Sequence, residues 1–558
     1  MEETSPTQLP VHKAIGLSST GVFLVTLAIQ LLGYIPTHFF AQGVGLSISG
    51  RAALGTFQWF LLLASSINMI GDLRIGSAYT FYVARGESPR AGTGTYFVLR
   101  VAMVAAGGAI LWATAPALPY STVQYLGLFA LWMALPVLWS VSTVYMQLWV
   151  AQGHSVKGQV PTLVESIVRT TALTYFAVQS LTLAPAQFDN IIPEVTFAYV
   201  LGAASSAVYS FPSVWRQTER FRAPVARRFF KFAWPLMGSL LLLYLSSTLI
   251  QFIVVVQLPP AVYNVFLSAN GLRILALSIP AAVAVPLFPH LSGLHKRQDY
   301  ELIRQRTWAA LRYTALVVLP LVMAMVVYRV NILNILYSGG YAGGATPLAI
   351  LALSAVPAAL TQIIGTALNS VGQQRLELYL TSLQVAVLIG ASLLLLDPVR
   401  FLGLDGLTAA ALAVLLSSVG ALVVNVYFME TRLGVRIQLR PILTILGASI
   451  GGFFAVAEFN DLLPVNRYYQ LIAGVVLGSL VYAVILSLVG ELSKADIRQI
   501  GGSVGLPQRA SDLIARLCWR DETWPVNPLP EGGAPGLRPL EGDRADLEPE
   551  HRTPPPKR

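Results

Sequence analysis

Fourteen stretches of this 558-residue chain are apolar enough to cross a bilayer, and the basic residues between them fall almost entirely on alternate sides. That alternation predicts a polytopic membrane protein with a fixed orientation and excludes most soluble folds. Composition agrees, with 55% hydrophobic residues, 11% charged residues and a mean hydropathy of +0.64. A soluble domain of this length could not bury so much apolar surface, whereas in lipid it faces acyl chains.

Hydrocarbon offers backbone amides no partner, so each stretch must be a helix unless the chain closes a barrel. The barrel pattern of short, strictly alternating segments is absent. The expected fold class is therefore all-α, with about 14 transmembrane helices. The stretches are 14–40, 53–83, 95–115, 123–150, 159–182, 192–211, 232–256, 262–288, 307–328, 346–370, 378–396, 405–428, 441–457 and 468–490. The second is long enough to be tilted or to begin at the interface. Eighteen Lys and Arg residues lie in the loops of one side, and only Arg51, Arg329, Arg400 and Arg467 lie on the other. The positive-inside rule then places both termini in the cytoplasm, which independently requires an even number of crossings.

The net charge of +10 resides mostly in those loops, where it fixes topology and meets anionic headgroups. The Arg216–Lys231 cluster is read as a connector on the membrane surface, not a nucleic-acid patch. No cleavable signal peptide is expected, since the first stretch is too long and lacks a small-residue cleavage site. The single cysteine, Cys518, excludes a disulfide framework or a cysteine metal cluster. Beyond Gly490 the chain turns polar and Pro-rich. Ser493–Cys518 is read as a short amphipathic helix and the remainder as disordered.

No enzyme signature is read here: GxxxxGK[ST], HExxH and CxxC are all missing. The Gly339–Gly344 run (GGYAGG) falls in an external loop instead of between a strand and a helix, so it is not read as a phosphate loop. The external loops are all short, which argues against a membrane enzyme of glycan assembly. His38, near the external end of the first stretch, is read as interfacial.

The charges inside the stretches are more informative, because each costs several kcal/mol unless it faces a partner or a wet cavity, roughly 2.5–3.5 at a helix centre by insertion scales. Asp72 and Arg74 lie about 12–15 Å from the cytoplasmic end of the second stretch, and Arg273 about 15 Å from the external end of the eighth. Glu165 and Arg169 stand at i, i+4, the favourable order for a helical ion pair. Arg100 and Arg312 sit closer to the cytoplasm, within snorkelling reach. Glu165–Arg169 and Asp72–Arg74 could be internal structural pairs, although residues two apart on a helix do not face each other. Arg273 has no partner within a turn in sequence. Arginine stays protonated and offers a planar fork of five donors, which suits a phosphate or diphosphate. The substrate-binding candidates are thus Arg273, Arg74, Arg169 and Arg100, and the cavity acids or ion-coupling candidates are Asp72 and Glu165.

A short internal echo links two of these positions. Gly71-Asp72-Leu73-Arg74-Ile75 in the second stretch and Asn270-Gly271-Leu272-Arg273-Ile274 in the eighth run in the same direction, six stretches apart, as parallel repeats would. The echo aligns Arg74 with Arg273.

Four segments resemble the oligosaccharide flippases, the polysaccharide-transporter branch of the multidrug/oligosaccharidyl-lipid/polysaccharide (MOP) exporter superfamily. Gly71–Ala78 is similar to the D-L-G-x-G stretch of the second helix. Leu287-Phe288-Pro289-His290-Leu291-Ser292, followed by Asp299, is similar to the L-F-P-x-L-S segment ending the eighth. Leu336-Tyr337, Tyr341-Ala342 and Leu348–Leu353 resemble the external hairpin before the tenth, and Ala367–Arg375 the A-L-N-x-x-G stretch that ends it. The likeness spans roughly residues 14–490. It implies a MATE-like fold of two six-helix lobes around a central cavity that alternates between inward- and outward-open states, with two extra helices. The implied division is 1–13 cytoplasmic N-terminus, 14–211 N-lobe, 212–231 basic cytoplasmic connector, 232–428 C-lobe, 429–490 the extra helices and 491–558 cytoplasmic tail. Position 74 is usually small in that motif, whereas here it is arginine. Lipid II flippases commonly carry basic residues in the first helix, which this chain lacks.

The resemblance implies a flippase of the cell membrane that carries polyprenyl-diphosphate-linked oligosaccharide from the cytoplasmic to the outer leaflet. Its partners would be the lipid-linked oligosaccharide, membrane lipids and glycan-assembly enzymes, with no nucleic acid and a monomeric state. No cofactor is expected, and the residues do not distinguish H+ from Na+ as a coupling ion. The alternative is a multidrug-type cation-coupled antiporter of the same superfamily, which would favour acidic cavity residues over the arginine excess seen here.

Overall fold

The computed structural model describes residues 11–84, 88–118, 126–152, 154–183, 191–337, 339–395, 405–436, 438–460, 467–491 and 494. The expected amphipathic helix over Ser493–Cys518 and the disordered tail lie outside these. Among the described residues the regular structure is helical throughout. The first half comprises α1 (Val11–Gln42), α2 (Ile48–Ile70), α3 (Ile75–Ala84), α4 (Pro89–Thr114), α5 (Leu126–Ala151), the single turn α6 (Ser155–Gly158), α7 (Val160–Ser180) and α8 (Ile191–Arg216). The second comprises α9 (Ala223–Gln257), α10 (Pro260–Lys296), α11 (Tyr300–Val327), α12 (Arg329–Leu336), α13 (Ala345–Ser370), α14 (Gln374–Leu395) and α15 (Gly406–Phe428). Two last helices follow, α16 (Leu439–Asn460) and α17 (Arg467–Val489).

Each expected stretch contains a helix, and among the described residues eleven helices are long and apolar enough to cross a membrane. The helices filling the other three stretches, α1, α7 and α9, are not among the eleven. Polar side chains set several helix starts. Ser47 accepts from the Gly50 amide at 2.9 Å, Asp299 from Leu302 at 3.1 Å and Asp405 from Thr408 at 3.2 Å, each satisfying an amide that the first turn leaves open. Asp299, quoted above beside the L-F-P segment, is thus the cap of α11.

The second stretch is neither one tilted helix nor an interfacial lead-in. It breaks at Gly71–Arg74 into α2 and α3, with Leu73 and Arg74 at φ 33° and 65°, in or near the left-handed region that side chains with a Cβ rarely enter. The basic connector is also shorter than 212–231. Helix α8 continues through Arg216 and α9 begins at Ala223, so Arg227, Arg228 and Lys231 occupy the first turns of α9. The intervening residues dock on α4, where the Glu219 amide donates to the Arg90 carbonyl at 3.1 Å and the Arg222 amide to Thr95 Oγ1 at 3.2 Å.

Helices α1–α8 pack mainly among themselves, as do α10–α15. The halves meet along two seams. At one end of the molecule α2 lies on α10, so close that a Cβ on Gly55 would overlap the Pro260 carbonyl. Towards the other end α3 and α4 pack on α9, with Tyr79 stacked on Tyr96 at 5.4 Å and Phe229 set edge-on to Tyr79. Helices α16 and α17 form a pair against α11, where the Tyr482 hydroxyl donates to the Leu316 carbonyl at 2.8 Å. Arg312 does not snorkel: it is buried and pairs with buried Glu491, just past α17, at 3.1 Å.

Candidate substrate cavity

Between the halves lies a cavity of about 400 Å³, walled by α1, α2, α7 and α8 on one side and by α9 and α10 on the other. Tyr337, before the Gly339–Gly344 turn, and Tyr341, within it, also line the cavity. Both tyrosines are fixed. The Tyr341 hydroxyl accepts from Asn264 Nδ2 at 2.9 Å, and the Tyr337 hydroxyl donates to the Ser268 carbonyl at 3.2 Å. The GGYAGG run is therefore a 3-10 turn that carries Tyr341 to the cavity wall. His38 sits nearby, its Nδ1 3.3 Å from the Leu336 carbonyl.

Of the arginine candidates, Arg169 lines this cavity, and it is the only Asp, Glu, Lys or Arg among the described residues that do. The sequence-local pair with Glu165 exists, with Nη1 2.7 Å from Oε1. Glu165 also accepts from Trp139 Nε1 at 3.1 Å, and the Arg169 guanidinium lies 4.9 Å from the Tyr199 ring centre. One side of the fork is committed, the cation rests on an aromatic face, and the pair brings little net charge to the wall.

Asp72 does not pair with Arg74. Its carboxylate accepts from the Tyr96 hydroxyl at 2.6 Å and from Arg100 Nη1 at 3.0 Å. Arg100 does not snorkel either: it is 1% exposed and also donates to Thr143 Oγ1 at 3.2 Å and to Asn68 Oδ1. This network clamps the broken second stretch to α4. Gly71 permits it, since a Cβ there would overlap Val104 of α4, and Gly76 leaves room beside the Asp72 carboxylate and the Tyr96 hydroxyl. Asp72 and Arg100 are thus drawn into the interior of the first half.

Arg74 and Arg273 form no ion pair among the described residues. Arg74 projects from the left-handed turn, its Nε buried without a hydrogen-bond partner, within electrostatic reach of Glu377 at the start of α14. Arg273 donates from Nε to Ser354 Oγ of α13 at 2.8 Å. It is not among the residues lining the cavity, whereas Gly271, Ile274 and Leu275 on the same helix are. Sequence reasoning found the charges but missed the uncharged polar lining, which includes Gln30, Gln58, Gln251 and Asn270. The available signal was amide side chains recurring within apolar stretches.

These elements define a multi-pass helical membrane protein whose two halves enclose a cavity. Residues 94–346 match the family described as polysaccharide biosynthesis protein. A stretch of 207 residues is 25% identical to the probable low-salt glycan biosynthesis flippase Agl15 of Haloferax volcanii, covering 37% of this chain and 43% of that protein. The chain thus spans less than half the length of that curated relative. The lipid II flippase MurJ in an inward closed conformation superposes with a TM-score of 0.69 at 13% identity, covering 84% of this chain and 98% of MurJ. An inward-facing multidrug resistance MATE transporter of the MOP superfamily gives 0.57 at 12% identity, over 74% of this chain and 98% of that one. The chain shares the fold of MurJ and of the MATE transporter, in agreement with the resemblance read from its sequence.

Proposed function

We propose that this protein is a flippase that moves polyprenyl-diphosphate-linked oligosaccharide from the cytoplasmic to the outer leaflet of the cell membrane by alternating access. In this reading fourteen helices cross the membrane, both termini are cytoplasmic, and the Gly55–Pro260 seam closes the outer end. The observation that carries it is Arg273. A guanidinium at membrane depth, held only at Nε and lacking an acidic partner among the described residues, is costly to bury unless it meets an anion. Its place on a helix that walls the cavity suits it to receive a diphosphate, with Arg74 the counterpart on the other half. The family match and the named flippases support the same reading.

The antiporter alternative is disfavoured by its own candidates. Asp72 and Glu165 are each bonded to an arginine, at 3.0 and 2.7 Å, and neither offers a free anionic site for a cation.

Reconstituted vesicles loaded with lipid-linked oligosaccharide test the proposal by reporting its appearance in the opposite leaflet. Wild type should accelerate it. Arg273→Lys should impair it, since the charge stays but the planar fork is lost, and Arg273→Ala should abolish it with folding largely intact. Full transport by Arg273→Ala would refute the assignment.

A further inference from the structure

We infer that the face formed by the end of α8, the connector and the first turns of α9 is a binding site for an anionic phospholipid, whose phosphate it holds. In the orientation proposed above, the leaflet that this face meets is the cytoplasmic one. The site lies apart from the cavity, and the inference stands whatever the protein transports. Between Arg216 and Lys231 the chain carries six cationic side chains against one acid, Glu219. That acid is already taken, its Oε2 2.9 Å from Arg222 Nη2. Arg216, Arg220, Arg227 and Lys231 are exposed and form no ion pair among the described residues. Clusters of about four to eight such cations beside a membrane helix attract anionic headgroups, with a strength that grows with each charge.

Loop charge alone would meet headgroups diffusely, whereas this face is built. The connector spends its backbone on α4 through the Glu219 and Arg222 amides, and a Cβ on Gly94 would overlap the Glu219 carbonyl. The side chains of Arg220, Phe221 and Arg222 are left exposed. Val214 of α8 and Val225, Phe229 and Ala233 of α9 are buried in one cluster. Both helices therefore turn their other faces outward, and α9 presents Arg227, Phe230, Lys231 and Trp234 at helical spacing. The rings select the partner. Phe211 and Trp215 stack at 5.6 Å, and Trp215 and Trp234 are 67% and 75% exposed. So much bare ring surface beside the cations is costly in water but suits the boundary between headgroups and acyl chains. A soluble polyanion would match the charge and leave the rings wet. A phospholipid matches both, its phosphate taking the guanidinium forks and its upper acyl carbons covering the rings. The cationic stretch between α10 and α11 lacks this construction, since Arg304 there is buried and bonded to Glu301 at 2.8 Å. A lipid held by the connector also touches the start of α9, which packs on α3 and α4, so binding should stabilise that seam between the halves.

The test counts lipids retained by the full-length protein in native mass spectrometry. The probes are phosphatidylglycerol and phosphatidylcholine with identical acyl chains, supplied in equal amounts in detergent. Wild type should retain phosphatidylglycerol about ten-fold over phosphatidylcholine at low salt, and high salt should erode that preference. The triple variant Arg220→Gln/Arg227→Gln/Lys231→Gln should lose at least about five-fold of the preference. The control Arg297→Gln/Arg306→Gln, on exposed arginines beside α11, should keep it. Phosphatidylglycerol should also raise the thermal unfolding midpoint of wild type and leave that of the triple variant unmoved. Trp215→Ala/Trp234→Ala keeps every charge and should still weaken phosphatidylglycerol retention, which serves as the test if the triple variant fails to fold. Equal retention of the two lipids by wild type overturns the site, as does an equal loss in the control. Displacement of the lipid by a soluble polyglutamate peptide, as complete as that by excess phosphatidylglycerol, overturns it in favour of a soluble acidic partner.

Discussion

Arg74 occupies backbone that a glycine would adopt without cost, at φ 65°. A left-handed conformation costs a residue with a Cβ about 1–2 kcal/mol, so a side chain retained there is held against local strain. Arg74→Gly should leave thermal stability within about 1 kcal/mol of wild type, since relief of strain offsets the added freedom of the unfolded chain. Transport in vesicles should nonetheless fall, because the guanidinium is gone. The Asp72–Arg100 pair behaves in the opposite sense. Asp72→Ala strands a buried cation and should cost about 3–5 kcal/mol in thermal or denaturant unfolding, with the Asp72→Leu/Arg100→Leu double variant recovering part of the loss. A double variant no more stable than the single would show that the pair is not the unit. The sequence exposed these charges because an ionisable residue in an apolar stretch stands out. It did not disclose their partners, because Asp72 and Arg100 are 28 positions apart and Arg312 and Glu491 are 179 apart. Only the packing of separate helices brings them together.

Helices were legible because hydrocarbon permits little else, and the fourteen stretches each hold one. Breaks were not. Gly71–Arg74 contains no proline, and the interruption arises from the clamp of Asp72 to Tyr96 and Arg100, a tertiary cause. The echo between the second and eighth stretches is likewise not repeated locally. Arg74 lies in a break, whereas α10 passes through Arg273 as continuous helix. The α2–α10 seam makes a sharper element-level prediction. Side chains beyond glycine at position 55 meet the Pro260 carbonyl, so Gly55→Val should destabilise by about 1–3 kcal/mol through forced separation of the helices. Unchanged thermal unfolding would mean that the seam is looser than its geometry.

For the molecule as a whole, loop charge predicts an orientation and four motifs pointed to the helical fold, while the cavity between the halves was not legible. Gln and Asn within apolar stretches carry no formal charge, so neither the depth argument nor the positive-inside rule registers them. The orientation is directly checkable. Reporter fusions after residues 188, 260 and 342 should report the outer side, and fusions after 88, 220 and 298 the cytoplasm. Consistent inversion at these sites would overturn the proposed direction of transport as well as the topology.

The buried Arg312–Glu491 pair also sets where the chain can be shortened. Glu491 is the second residue after α17 and 1% exposed, and it meets Arg312 through both its carboxylate and its carbonyl oxygen. A deletion that stops at 490 removes Glu491, and with it the carboxylate and the carbonyl that Arg312 meets inside the α11–α16–α17 junction. Trimming from the C-terminus should therefore be graded in effect only down to Glu491 and abrupt at the next residue.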